Sequence, residues 1–313
     1  MSATKTDLRR SAFTMSITPF DTAGRLDETA LRLHLRRLRD AGVSVYVGGS
    51  VVGEAFALPS DELDTLLTVS VEELGGTVPL RGMGMEPHNF EQVMDFVRRA
   101  ERHGLDAVHV FAPEMGHGAK PTPTELEAYY TRVIGDASIP VVLSSYQSMG
   151  IILPVDMVER LAERFDTLIG IFYGGTDMVY LAELIRRLGA QMEVYCAGPS
   201  NALTTLGLGG NGFMAHEGNL SPALFTDLIA AFESGDRAKV AATHSKMMQI
   251  HGLHRPYGAA ASRLMKPLLN RLGLPGGTVR PPRMPVTGDE LERALRTVLD
   301  MDLPGLPGRA AEV

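Results

Sequence analysis

Eight short apolar runs, each followed by a longer stretch with helical spacing, recur along most of the chain. This recurrence limits the possible folds more than any other feature. The runs are residues 12–18, 44–48, 78–83, 107–111, 140–144, 168–172, 193–197 and 212–215. They are mostly continuously apolar rather than alternating, the pattern of parallel strands covered on both faces. Between them, 27–41 places Leu31, Leu35 and Leu38 at helical spacing with arginines opposite and Gly42 as a stop. The stretch 89–103 gathers Val93, Phe96, Val97 and Ala100 ahead of Gly104, and 154–165, 177–188 and 222–233 follow the same rule. Eight strand–helix alternations predict an α/β fold of the (β/α)8 type, a TIM barrel. A doubly wound sheet would carry GxGxxG or a phosphate loop after its first strand, and neither occurs.

From about Gly235 the strands stop. Residues 237–254, 258–272 and 289–300 read as helices, and the Gly/Pro-rich tail beyond them is expected to fray. The expected organisation is therefore a barrel over 1–234 and a helical C-terminal extension over 235–313 packed on it. A length of 313 residues suits one barrel of ~250 residues plus such an appendage.

The formal net charge of −7 argues against a nucleic-acid or anionic-membrane binder, since either would need a basic face. No apolar run is long enough for a membrane span, and the N-terminus lacks the apolar core of a secretory signal. With Cys196 alone, an internal disulfide and a cysteine-rich zinc site are both impossible. A cytoplasmic location is the expectation.

A barrel of this type keeps its reactive groups at the C-terminal ends of its strands. Reading those ends in order gives Thr18, Ser50 to Glu54, Glu86 with His88, Glu114 with His117, Ser144 to Tyr146, Phe172-Tyr173, Ser200-Asn201 and His216-Glu217. Carboxylates and imidazoles in one place are what general acid–base catalysis or a divalent metal would need. His216-Glu217 stands out because it directly follows an apolar strand. Glu54 reads instead as a helix-start carboxylate with a structural role. His103, His251 and His254 lie in helical segments and read as surface or core histidines. A metal reading would draw on Glu86, Glu114, His117 and His216, but no HExxH occurs and no metal ligands are assigned.

Several of these segments resemble the dihydrodipicolinate synthase/N-acetylneuraminate lyase family of barrel aldolases. Thr18-Pro19-Phe20 followed by Gly24-Arg25-Leu26-Asp27 is similar to the family's opening, and Gly53-Glu54 with Leu58 and Glu62 to its second segment. Gly82-Met83-Gly84, the stretch 100–107, Ile139 to Leu143, Leu168 to Ile171, Gly209 to Gly212 with Asn219 and Pro222, Lys266, and Val279 to Pro282 continue the likeness over roughly residues 12–300. The resemblance implies a Schiff-base lysine at the end of the sixth strand, where this chain has Phe172. It also implies a catalytic tyrosine where Ser144 stands, with Tyr146 two residues further on. The family's hydroxyl pair falls on Val51 and Val52, its distal arginine on Met149, and its interface tyrosine in 114–117, which holds none. An amine nucleophile is what condenses with a keto acid, and a phenyl ring has no lone pair for that role.

The expected function is a lyase-type enzyme on this scaffold using lysine-independent acid–base chemistry, such as elimination, retro-aldol cleavage, hydration or isomerisation. His216, Glu217, Tyr146, Glu86 and His117 are the expected catalytic residues. Ser50, Val51, Val52, Ser144, Phe172, Tyr173 and Asn201 are expected to bind a small-molecule substrate, with no cofactor. The apolar character of Val51, Val52, Met83, Met85, Met149 and Phe172 suggests a larger or less anionic substrate than pyruvate. Two alternatives stay open: a catalytically inactive member with a structural or regulatory role, and a metal-assisted lyase or hydrolase on the same His/Glu set. The resemblance also implies a homo-oligomer, a dimer or homotetramer.

Overall fold

A computed structural model describes residues 9–306, so Lys5 and the end of the tail expected to fray lie outside the described residues. Eight strands pair in chain order and close into one barrel: β1 (Ser11–Met15), β2 (Ser44–Val47), β3 (Leu80–Gly82), β4 (Ala107–Val110), β5 (Val141–Tyr146), β6 (Leu168–Gly174), β7 (Glu193–Ala197) and β8 (Gly212–Ala215). The pairing is parallel, with Phe13 opposite Ser44, Val108 opposite Val141, Phe172 opposite both Ser144 and Tyr195, and Tyr195 opposite Gly212. The continuous apolar runs are explained by this arrangement. Every residue of β2, β4 and β8 is buried, as strands covered by helices on one face and filled by side chains on the other require.

Five of the eight helices between and after the strands fall where the hydrophobic spacing places them: α1 (Glu28–Asp40), α3 (Phe90–His103), α5 (Val155–Arg164), α6 (Met178–Leu188) and α8 (Ala223–Ser234). Their starts are chemically marked. Asp27 accepts from the Ala30 amide, Asn89 from Gln92 and Asp177 from Val179 and Tyr180, each side chain satisfying an amide the helix itself leaves unpaired. Three further helices, α2 (Ser60–Leu74), α4 (Pro123–Asp136) and α7 (Ala202–Gly207), lie outside the expected set. Of these α4 carries a readable signal: Thr122 and Glu125 form a reciprocal capping box around Pro123.

The helical extension consists of α9 (Arg237–His254), α10 (Ser262–Arg271) and α11 (Gly288–Asp300). Gly235, at φ 72°, ends α8 in the left-handed conformation that glycine adopts without strain, and Asp236 then caps α9 through the Lys239 amide. The chain forms two compact units. One contains residues 81–214 with the segment ending at Ser11, the other Ala12–Leu80 with the chain from Ala215 onward. Among the described residues no helix is long and apolar enough to cross a membrane.

Candidate functional site

β8 runs directly into a one-turn 3-10 helix, Glu217–Asn219, with His216 at its start. The turn lies against β1 because residue 218 is glycine: a Cβ there would come within 2.0 Å of Thr14 Oγ1 and 3.1 Å of the Phe225 ring. Asn219 fixes the turn from within. Its Nδ2 donates to the Met15 and His216 carbonyls, both at 2.7 Å, and its Oδ1 accepts from the Ile17 amide at 3.0 Å. His34 Nε2 lies 2.9 Å from the same oxygen. Because the amide nitrogen is already committed to two carbonyls, His34 must donate, so its proton sits on Nε2. Burial pushes the His34 imidazolium down to about 3, and the ring is neutral in the fold.

Glu217 is the centre of this region. Its side chain is 1% exposed, its Oε1 is 2.7 Å from His251 Nδ1 and 3.7 Å from His216 Nε2, and its Oε2 has no hydrogen-bond partner. Burial by itself would raise such a carboxyl, but the facing His216 and the hydrogen bond from His251 outweigh it and bring the group to about 2. The hydrogen bond to Glu217 in turn raises His251. His254, one helical turn along α9, is 1% exposed, and neither ring nitrogen has a hydrogen-bond partner. Burial first, then the neighbouring His216, lowers it to about 3. The His216 and His254 rings meet edge to face at 5.3 Å between centroids. His216 Nε2 is buried and unpartnered as well. One ligand atom each from His216, Glu217 and His254 lies within 4.8 Å of the others, so this trio is the group that could hold a cation.

The expectation for α9 is therefore corrected in part. His251 is neither a surface nor a core histidine but the hydrogen-bond partner of Glu217, whereas His254 is buried, as a core histidine is, with its ring against His216. They are three residues apart on one helix, hence on one face, and that spacing, alongside the buried acid at the end of β8, was the available signal. The metal set considered from the sequence is likewise replaced: His216 is joined by Glu217 and His254, whereas Glu86, Glu114 and His117 are not in the group.

The unit containing residues 81–214 holds most of the remaining candidates. His117 is exposed in a loop at φ 48°, and His88 with Glu114 forms an exposed pair 3.9 Å apart. Burial raises the Tyr146 hydroxyl, and the Glu86 charge adds to that shift. Ser144 is buried with an unpartnered Oγ in register with Phe172. Phe172 packs against His109 at 5.5 Å and Tyr146 at 6.2 Å. Tyr173 and Asn201 have local tasks, the first accepting from the Asp177 amide and the second donating to the Gly175 carbonyl.

In the other unit Val52 is buried, and the Ser50 and Val51 carbonyls accept from Arg283. Glu54 does not act as a helix-start carboxylate. At φ 53° and fully buried, it makes no capping bond but pairs with Lys266 Nζ at 2.5 Å and accepts from the Arg280 amide. Burial lowers Lys266 to about 8 against the opposing pull of Glu54. Lys266 also donates to the Thr278 carbonyl. Lys120 donates to the Met149 carbonyl, Lys239 pairs with Asp227, and Lys246 donates to the Asp302 carbonyl.

Comparison with known proteins agrees with this architecture. Residues 9–300 match the profile of the Dihydrodipicolinate synthetase family. The 4-hydroxy-tetrahydrodipicolinate synthase of Bacillus subtilis is 26% identical over 278 residues, covering 88% of this chain and 94% of that one. A crystal structure of dihydrodipicolinate synthase from Bacillus anthracis superposes with a TM-score of 0.83 at 25% identity, covering 93% of this chain and 97% of the other. N-acetylneuraminate lyase from Mycoplasma synoviae shares the fold, with a TM-score of 0.80 at 20% identity over 94% and 98% of the two chains.

Proposed function

The chain belongs to the Dihydrodipicolinate synthetase family, and from that premise we propose that it is a lyase-type enzyme whose acid–base chemistry does not pass through a lysine Schiff base. The observation that carries the proposal is the buried group at the end of β8: Glu217 held by His251, with His216 beside it. His216, beside this fixed carboxylate and not engaged by the hydrogen bond that holds it, is assigned the proton transfer. Glu217 is assigned the role of fixed anion. Tyr146, whose hydroxyl feels the Glu86 charge, is assigned a second acid–base role together with Glu86, and His117 a third from the loop after β4.

Two points support a route without an imine. Phe172 occupies the place that the family resemblance gives to the lysine, and the four described lysines are each engaged with a carboxylate or a backbone carbonyl. Ser50, Val51, Val52, Ser144, Phe172, Tyr173 and Asn201 are assigned to substrate contact. Their mixed apolar and hydroxyl character suits a small molecule less anionic than pyruvate undergoing elimination, retro-aldol cleavage, hydration or isomerisation. A homo-oligomer, dimer or tetramer, working in the cytoplasm completes the proposal.

Incubation with pyruvate, and with a panel of other keto acids, followed by borohydride reduction and intact-mass measurement tests the central point. The expected spectrum is that of the unmodified chain. A reduced adduct mapped to any lysine overturns the proposal and makes the protein a Schiff-base aldolase with a relocated nucleophile.

A further inference from the structure

The group at the end of β8 has more unsatisfied coordinating capacity than proton transfer requires. His216 Nε2, Glu217 Oε2 and both ring nitrogens of His254 are buried without a hydrogen-bond partner. Only the Ile250 carbonyl, one turn back on α9, leans toward the His254 ring, and it does not reach hydrogen-bond geometry. Leaving such atoms unpaired costs about 1–3 kcal/mol each, so a cluster of them calls for an occupant. The occupant must accept lone pairs from two imidazoles and one carboxylate. A hydrogen-bonding ligand would meet His254 equally well as donor or acceptor, but the convergence of three ligand-type atoms within 4.8 Å suits a cation.

We propose that His216, Glu217 and His254 bind a divalent transition-metal ion, Zn2+ being the best match, with His251 positioning Glu217. Three atoms mutually within 4.8 Å all lie within about 2.8 Å of a common point, so small side-chain rotations bring them to the ~2.0–2.2 Å of Zn–N and Zn–O bonds. Two histidines and one carboxylate leave a tetrahedral ion with a fourth position for water or substrate, and they favour Zn2+ over Ca2+ or Mg2+, which take oxygen ligands. The hydrogen bond from His251 to Oε1 fixes the carboxylate and leaves Oε2 without a hydrogen bond, the usual task of an outer-shell partner. The ligands also come from separate places in the sequence, the end of β8 and the last turn of α9, so the ion would tie the extension to the strand end it follows.

The inference rests on placing the functional site at the end of β8, and it adds a Lewis acid there that the acid–base proposal does not need. Full-length chain stripped with chelator and titrated with Zn2+ by calorimetry is expected to bind one equivalent. Titration with Co2+ is expected to give the intense visible bands of a four-coordinate site. Glu217→Gln and His254→Gln are each expected to weaken Zn2+ binding at least 100-fold, and His251→Gln about 10–100-fold. His88→Ala, at the exposed pair, is expected to change nothing. Folding of every variant is checked by circular dichroism, and the Co2+ spectrum of the unaltered chain stands on its own if a variant fails to fold. Absence of a stoichiometric site, an octahedral Co2+ spectrum, or binding that survives Glu217→Gln and His254→Gln overturns the metal site. A borohydride adduct would instead strike the lysine-independent proposal, so the two failures are distinct.

Discussion

Replacing Asn219 by leucine removes a buried hub without removing much volume. In the native fold its side chain serves the Ile17 amide, the Met15 and His216 carbonyls and His34 Nε2. The His216 carbonyl keeps a second donor, the Asn219 amide at 3.1 Å, and the Arg37 contacts go to backbone carbonyls that leucine retains. That leaves three groups deprived of the partner described here: the Ile17 N–H, the Met15 C=O and the His34 Nε2–H. At ~1–3 kcal/mol for each orphaned buried group, and with leucine regaining some apolar transfer energy, the expected loss is about 3–5 kcal/mol. That is a large part of a typical domain stability. Urea unfolding at fixed protein concentration, followed by far-UV circular dichroism, reads it as a lower midpoint at unchanged slope. The double variant with His34→Leu supplies the decisive check. Once residue 219 is apolar, the His34 N–H has nothing left to lose, so the double variant should cost less than the sum of the singles by about 1–2 kcal/mol. A loss below about 1 kcal/mol for Asn219→Leu, or strict additivity in the cycle, would refute the hub.

His34 also sets an acid limit. It stays neutral in the fold down to about 3, while the unfolded chain protonates near its ordinary value of 6.5. Between those values the unfolded state binds more protons, so stability is full above 6.5 and declines as the pH falls, by up to ~1.4 kcal/mol per unit for this group. His109, lowered to about 3 mainly by burial, acts in the same direction. Thermal melts between pH 7 and 4 should show the decline, with a shallower slope in His34→Leu; equal slopes would remove His34 as a cause. At the Glu54–Lys266 pair, Lys266→Met strands a fully buried carboxylate and should cost about 3–5 kcal/mol in urea unfolding. Glu54→Gln combined with Lys266→Met should restore most of that loss, and a double variant as unstable as the single would contradict the pairing.

The sequence carried the barrel in detail because a parallel strand buried on both faces must be apolar throughout. All eight expected runs overlap a strand, and the seventh and eighth coincide with β7 and β8 to the residue. Helices with a sharp apolar stripe were equally legible. Those missed had a reason: α2 starts after Pro59 without a side-chain cap and carries acidic and apolar residues in mixture, and α7 is only six residues long. The site was legible at one of its two edges. His216 and Glu217 follow a strand whose position the pattern fixes, so their place at the barrel end could be read directly. His251 and His254 come from a helix with apolar residues scattered round its circumference, so their spacing puts them on one face but does not tell which face the helix turns inward. Glu54 failed for a related reason: its partner, Lys266, lies 212 positions away, and distance in sequence hides an ion pair that local capping logic then explains wrongly.

The way buried acids are satisfied sets Glu217 apart from the others. Among the described residues four glutamates are buried: Glu54, Glu73, Glu193 and Glu217. Three of them face a lysine or arginine, Glu54 with Lys266, Glu73 with Arg32 and Arg36, and Glu193 with Arg81 at 2.7 Å. Such pairs are locked: neither group can give up its charge without leaving the other stranded in a low dielectric. Glu217 alone is met by histidines. An imidazole can hand over its proton near neutral pH or exchange it for a metal ion, so the carboxylate keeps a compensating charge whichever occupant is present. A purely structural anion at this position would be served better by arginine, as Glu73 and Glu193 are. Histidines beside a buried carboxylate, with coordinating atoms left unpaired, are the arrangement expected under the proposed function, where positive charge has to come and go.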